Sequence, residues 1–322
     1  MRGQRVLVSG MGGELGSLVA SMLESEPWVG SILGIDVDPP RRRLHRSEFH
    51  RIDPRDRPRI VDVVTRFDPH VLVHLAVWEP DARAGTRVAK RLTCDSATSI
   101  IAAAAECPSL QAIVVRSGIE IYGRGRGALT RPDEDSPTDP TSEFGRMVAS
   151  IESTAQTVGT RVGVAVSALR LAPVLGPHVP SPLGRALRQP IVPFSVLADS
   201  AFVVTIDSDA ARAFVAAAEQ RPQGPLNVVG PGAITTMQAI WRGRRLPLPL
   251  FGPEWRVARH VSHLLGAPLP EHVMELIHRG RLADGSRLTE ALGIAPHVTT
   301  GEVIDRLFQW EAIVRVPASQ AA

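Results

Sequence analysis

The chain has 322 residues, 44% of them hydrophobic and 21% charged, a composition that folds into a packed core and excludes wholesale disorder. A formal net charge of +3 is too small to point to nucleic acid, and only two cysteines, Cys94 and Cys107, exclude a disulfide framework and fit a reducing cytoplasm. No apolar run approaches the ~18 residues of a membrane span, and a strand-like segment follows Met1 so closely that no signal peptide is expected.

The predicted elements alternate through the first half. Residues 5–9 (RVLVS), 31–36 (SILGID), 49–52, 71–76 (VLVHLA), 112–116 (AIVVR) and 162–169 (VGVAVSAL) read as six strands. Helical patterns lie between them near 14–25, 56–66, 88–106 and 144–156. Such alternation predicts βαβ units, hence an α/β fold with a doubly wound parallel sheet covered on both faces. After Leu171 the texture changes: Pro173, Pro177, Pro180, Pro182, Pro190 and Pro193 break up the chain, and Pro247, Pro249 and Pro253 form a second cluster. Loops and short elements are expected there. Residues 205–219 read as a helix again, with Asp207 or Asp209 near its cap.

The sharpest local signal is SGMGGELG, in which Gly10, Gly13 and Gly16 are spaced GxxGxxG between the first strand and the first helix. Glycines there permit a tight turn and close approach of the backbone to a pyrophosphate, and the helix N-terminus offers N–H donors and positive potential. Asp36 ends the second strand, where a carboxylate can accept hydrogen bonds from an adenosine ribose. Arg41–Arg43 follow and could meet a 2′-phosphate, but Asp36 would repel it, so NAD is expected over NADP.

These features together resemble the extended short-chain dehydrogenase/reductases, the NAD-dependent epimerases and dehydratases that act largely on nucleotide sugars. The resemblance rests on the glycine spacing, Asp36, DPHVLVHLA at 68–76, IEIYG at 119–123, LRLAPVLGP at 169–177, the acidic pair Asp207 and Asp209, NVVGPG at 227–232 and LADGSRLTEALG at 282–293. It implies a Rossmann domain over residues 1–171 and a smaller, mainly substrate-binding domain over 172–322, with a segment at about 201–230 returning to the first. The implied cofactor contacts are Gly10, Gly13, Glu14, Leu15, Gly16, Asp36, Asp53 (close to the adenine), Leu75, Ala76, Ser117 and Pro173. Many relatives form homodimers through the two helices that correspond to 88–106 and 144–156.

The family's catalytic residues are where the pattern departs. Its members carry Tyr-xxx-Lys on the helix after the fifth strand, with Ser or Thr just past that strand; the tyrosine exchanges a proton and the lysine lowers its pKa and holds the ribose. Alignment on DEDSPTDPTSEFGRMVASIE places Phe144 at the tyrosine position and Val148 at the lysine position. The hydroxyl position holds Gly118, with Ser117 one place earlier, and Cys94 falls where a helix asparagine often completes the set. The sequence has one tyrosine, Tyr122, which belongs to the YG turn, and one lysine, Lys90, on another segment. Glu120 corresponds to a glutamate that serves as a base in the dehydratases; the alternative reading is a satisfied structural carboxylate.

Two further patterns stand outside the resemblance. His260 and His263 have an HxxH spacing without a third ligand of suitable spacing, so no metal site is expected. Residues 241–259 interleave five arginines with two tryptophans and a phenylalanine, which suits a phospho-ligand, a peripheral membrane surface or a plain solvated segment. Three function classes follow: a dinucleotide-binding sensor, scaffold or regulator without standard hydride transfer; a nucleotide-sugar epimerase, dehydratase or reductase with a non-standard base; and a structural partner with a vestigial site. The first is preferred, because the glycine loop is intact and the Tyr–Lys pair is absent.

Overall fold

A computed structural model describes residues 3–80, 85–251 and 269–311. The chain order begins β1 (Gln4–Ser9), α1 (Glu14–Leu23), β2 (Val29–Asp36), β3 (Ser47–Arg51), α2 (Arg57–Phe67), β4 (Val71–His74), α3 (Thr86–Ala105) and β5 (Ala112–Gly118). A 3-10 turn over Ile119–Tyr122 leads to α4 (Glu143–Val162), β6 (Ala165–Leu171), β7 (Val174–Leu175), α5 (Pro182–Leu187), β8 (Ile191–Ser195), β9 (Ala201–Phe202) and β10 (Thr205–Ile206). Then come α6 (Asp207–Gln220), β11 (Gly224–Val228), β12 (Ile234–Thr235), α7 (Thr236–Arg242), β13 (Leu246–Leu250), α8 (Glu271–Arg279), α9 (Ser286–Leu292) and α10 (Thr300–Gln309).

Seven strands form one parallel sheet in the order β11-β6-β5-β4-β1-β2-β3. This is the doubly wound Rossmann arrangement, and its order reverses between β1 and β4, where such sheets open a crevice at the strand carboxyl ends. The strands are apolar on both faces because helices cover both: α1 and α6 pack on one side, α2, α3 and α4 on the other. Val6, Val8, Val71, Val73 and Val114 face the first layer, and Leu7, Leu72, Ile113 and Val115 the second. Alternate residues of single strands thus serve opposite cores. A separate apolar cluster joins Leu183, Val192, Phe202, Ile240, Val273, Leu276 and Leu307, drawn from α5, β8, β9, α7, α8 and α10.

Several boundaries differ from the sequence reading, for local reasons. The sixth strand begins at Ala165 rather than 162, since α4 continues to Val162 and is capped by Gly163 in the left-handed region at φ +73°. The fourth strand ends at His74, and Leu75 and Ala76 follow it as loop, the Leu75 amide donating to the Ser9 carbonyl at 2.8 Å. Residues 205 and 206 form β10 beside β7, so α6 starts at Asp207, with Ile206 as N-cap and both Asp207 and Asp209 inside the first turn. Acids there complement the helix dipole without acting as the cap.

Candidate functional site

The β1–α1 turn is built by steric need. Gly10 has φ +81°, and a Cβ on it would lie 2.5 Å from the amide nitrogen of Ala76, so this backbone crosses β4's exit directly. A Cβ on Gly16 would run into the Gly10 carbonyl, which presses α1 onto its own loop. Gly13 differs: its φ is −74°, and the nearest atom to an added Cβ is 3.4 Å away, so nothing inside the protein demands a glycine. Its open side belongs to the cleft. Gly13 is also the N-cap of α1 and supplies no side-chain cap, leaving N–H donors of the first turn for a ligand.

Asp36 closes the other side of the loop. Its carboxylate accepts from the backbone of Gly12 at 2.8 Å and of Val37 at 2.6 Å. Burial raises its pKa, partly countered by those amide donors. The next segment is fixed by Ser17, which donates to the Met11 carbonyl and accepts from the Arg41 amide, both at 2.8 Å. Arg42 pairs with Glu14 at 3.1 Å, so it is already engaged near the place where a 2′-phosphate would lie.

The cleft above β1 and β4 has a volume of about 810 Å³ including its open mouth. It gathers Gly10, Gly13, Glu14, Leu15, Gly16, Asp36, Leu75 and Ala76 from the sequence expectation. A shallow apolar recess adjoins it beyond β2, between Ile52, Pro54 and Ile100, with Asp36, Ala76 and Trp78 shared by both. Asp53 sits beside this recess, its carboxylate held by Arg55 at 2.6 Å, an arrangement that draws its pKa down to about 2. Pro173 lies outside the lining, its carbonyl taken by the Thr205 amide at 3.1 Å, while its neighbour Val174 lines the cleft.

At the inner end, beyond β5, Ser117 is buried and its hydroxyl has no partner within hydrogen-bonding distance. Gly118 leaves room that the Glu120 carboxylate occupies, since a Cβ there would meet Oε2 of Glu120. Glu120 is buried, and burial raises its pKa despite the nearby charges of Arg281 and His272. Phe144 and Val148 lie on α4, 7% and 0% exposed, in an apolar cluster with Ile119, Ile121, Met147 and Ala172. Neither has a proton or charge to offer a ligand. Tyr122 donates to Asn227 at 2.8 Å and accepts from Arg170 at 2.9 Å. Lys90 pairs with Glu143 at 2.6 Å on the exposed start of α4, and Cys94 stands half-buried on α3, its thiol pKa raised by burial.

Three residues of this end were not read from the sequence. Glu79 and Arg116 both line the cleft, and His272 of α8 binds Glu79 through Nε2 at 2.9 Å. The His272 ring packs on Phe144 with centroids 4.7 Å apart. They come from a loop, a strand and a distant helix, so no spacing announces them. A period of two does set Arg116 on the same side of β5 as Gly118. Among the described residues no helix is long and apolar enough to cross a membrane. His260 and His263, and residues 252–259 of the arginine- and tryptophan-bearing stretch, lie outside the described residues.

Comparison with known proteins places this geometry. A family model described as the NAD dependent epimerase/dehydratase family matches residues 6–229. Uncharacterised proteins of Mycobacterium bovis and Mycobacterium tuberculosis are 30% identical over 97% of this chain and 85% of their own length. Among solved structures, MoeE5 in complex with UDP-glucuronic acid and NAD superposes with a TM-score of 0.73 at 21% identity, over 95% of this chain and 98% of that one. A UDP-galactose 4-epimerase gives 0.70 at 18% identity, covering 95% and 97%. A UDP-glucuronic acid 4-epimerase from Bacillus cereus in complex with NAD gives 0.69 at 18% identity, covering 95% and 98%. At these identities the structural likeness speaks for the fold.

Proposed function

The chain belongs to the NAD dependent epimerase/dehydratase family, and on that premise we propose that its cleft binds NAD while the family's tyrosine–lysine proton chemistry is absent. One observation carries the first half: the Gly12 amide and the Asp36 carboxylate are bonded at 2.8 Å, fixing the glycine turn and the acid on one rim of the cleft. Gly13 at the start of α1 would hold the pyrophosphate, Asp36 the adenosine ribose, and the apolar recess beside Ile52 and Ile100 would take an edge of the adenine. Asp36 has acceptor capacity left for ribose hydroxyls, and its charge disfavours a 2′-phosphate, so NAD is preferred to NADP. Phe144 and Val148 carry the second half, because neither can exchange a proton or hold the nicotinamide ribose with a charge.

A second reading concerns what the site does with the dinucleotide. The Glu79–His272 pair beside Phe144 favours an enzyme with a non-standard base over a passive sensor. A nucleotide sugar, the ligand named for MoeE5, is the substrate class to try first. We also propose, by likeness to the family, a homodimer contact through α3 and α4. The test of the cofactor reading is a thermal melt with millimolar NAD, NADH and NADP. Ligand that binds the folded state raises Tm with concentration. A rise with NAD and NADH, weaker with NADP, supports the reading; a flat response to all three in protein free of bound nucleotide contradicts it.

A further inference from the structure

Resting on the NAD-binding reading, we propose that the proton-transfer site has been rebuilt on another wall of the cleft: Glu79 takes the substrate proton, His272 positions Glu79, and Arg116 supplies the cation.

The geometry behind this is compact. Glu79 is the side chain that both lines the cleft and touches His272, whose Nε2 lies 2.9 Å from its Oε1. A carboxylate held by an imidazole at one oxygen is fixed in direction, and its other oxygen is free to turn toward the cleft. His272 is 5% exposed and stacked on Phe144, so the imidazole stands beside the position where relatives carry their tyrosine. It reaches that place from α8 rather than α4. Arg116 is the one cation among the described residues that line the cleft, and no described carboxylate lies within salt-bridge distance of it, although Glu79 and Glu120 act on it electrostatically. A half-buried guanidinium without a partner is costly unless the ligand brings negative charge. An alcohol oxygen losing its proton is such a charge. The sheet order supports the placement, since Arg116 on β5 and Asp36 on β2 stand on opposite sides of β1 and β4. Among the described residues, Glu120 on the following turn interacts electrostatically with Glu79, His272 and Arg281, and Arg281 is itself bonded to Glu275 at 2.5 Å.

The chemistry balances for oxidation of a secondary alcohol. The hydroxyl proton passes to a Glu79 oxygen, and the carbon's hydrogen leaves with its electron pair as hydride. A dinucleotide held at Gly13 and Asp36 would supply the acceptor for that hydride, NAD⁺ being reduced to NADH as the alcohol becomes a carbonyl. In the reverse direction Glu79 returns the proton to the oxygen as the hydride comes back.

The two charges predict opposite effects on cofactor choice, a signature that structural roles do not share. The nicotinamide ring is positive in NAD⁺ and neutral in NADH, and ADP-ribose lacks it. Calorimetric titration of all three against wild type, Glu79→Gln, Arg116→Gln and His272→Asn gives the readout. Removing the Glu79 charge weakens NAD⁺ relative to NADH by about threefold or more, and removing the Arg116 charge strengthens it by a similar factor. ADP-ribose affinity stays within twofold in every variant. His272→Asn leaves a hydrogen-bonding group at the site and shifts the ratio less than Glu79→Gln does. With UDP-glucose, UDP-galactose and UDP-glucuronic acid as probes, Glu79→Gln also removes any reduction of bound NAD⁺ that wild type carries out. Shifts of the same sign in both charge variants, no shift in either, or equal loss of all three ligands overturns the assignment. If wild type binds none of the three, the cofactor reading fails first and takes this one with it.

Discussion

The guanidinium of Arg170 donates to the hydroxyl of Tyr122 at 2.9 Å, and both groups are buried between α4 and the carboxyl end of the sheet. Arg170 is held in turn by Glu152 through two bonds of 2.9 Å, and Tyr122 donates to Asn227. The one tyrosine of the chain is therefore a bracing residue, and burial raises its pKa. Tyr122→Phe leaves Arg170 and Asn227 each short of a partner. A loss of about 1–3 kcal/mol in unfolding free energy is expected, with NAD affinity unchanged. Urea denaturation and a binding titration on the same preparation check both halves.

The two glycines of the loop separate folding from binding. Gly16→Ala pushes a methyl group into the Gly10 carbonyl and is expected to cost about 1–3 kcal/mol of stability. Gly13→Ala meets only an ordinary contact and leaves Tm nearly unchanged, yet it fills the space a pyrophosphate needs. Its NAD affinity should fall by about tenfold. Equal effects of the two substitutions on Tm, or full NAD binding by Gly13→Ala, would contradict this assignment.

His74 provides the pH dependence. It is fully buried at the end of β4 beside β1, 2.7 Å from the Ser9 hydroxyl, and burial pushes its pKa down from 6.5 to about 4. The folded protein keeps the ring neutral, whereas the unfolded chain binds a proton below 6.5. Its contribution is complete above 6.5 and is lost as pH falls toward 4, a loss of up to about 3 kcal/mol. Denaturant midpoints between pH 7 and 5 should decline in wild type and decline less steeply in His74→Gln.

Restoring the family's residues is not a simple reversal. Val148 is wholly buried among Ile119, Met147 and Ala172, so Val148→Lys places an ammonium where no carboxylate is paired with it. A loss of about 3–5 kcal/mol is expected without ligand. Saturating NAD should recover part of that loss, as ribose hydroxyls partner the new charge. A variant as stable as wild type in the absence of nucleotide would mean that this part of α4 opens to the cleft.

The fold and the meeting of the glycine turn with Asp36 were legible because they are local. Gly10, Gly13 and Gly16 sit in one turn, and Asp36 ends the strand that pairs with β1 over Arg5–Ser9. Boundaries moved where capping or pairing outweighed hydrophobic pattern, as at Gly163 and at Thr205–Ile206. Phe144 and Val148 lie on α4, a helix that the acidic and proline residues before it announce. The inner end was hidden for a different reason. Glu79 and His272 are separated by 193 residues, and their bond exists because α8 packs against α4. A hydrogen bond between a loop and a remote helix has no period, so only the packed structure displays it.

The central claim is that the cleft holds a dinucleotide firmly by its adenosine half while the nicotinamide half lacks the usual lysine. Calorimetric titration of wild type with NAD⁺ and with ADP-ribose tests it most directly. With no lysine on the ribose, and with Glu79 and Arg116 exerting opposed effects on the ring, the two affinities should agree within about tenfold. Failure of both ligands to bind at millimolar concentration, or a preference for NAD⁺ of about a hundredfold, would contradict the account.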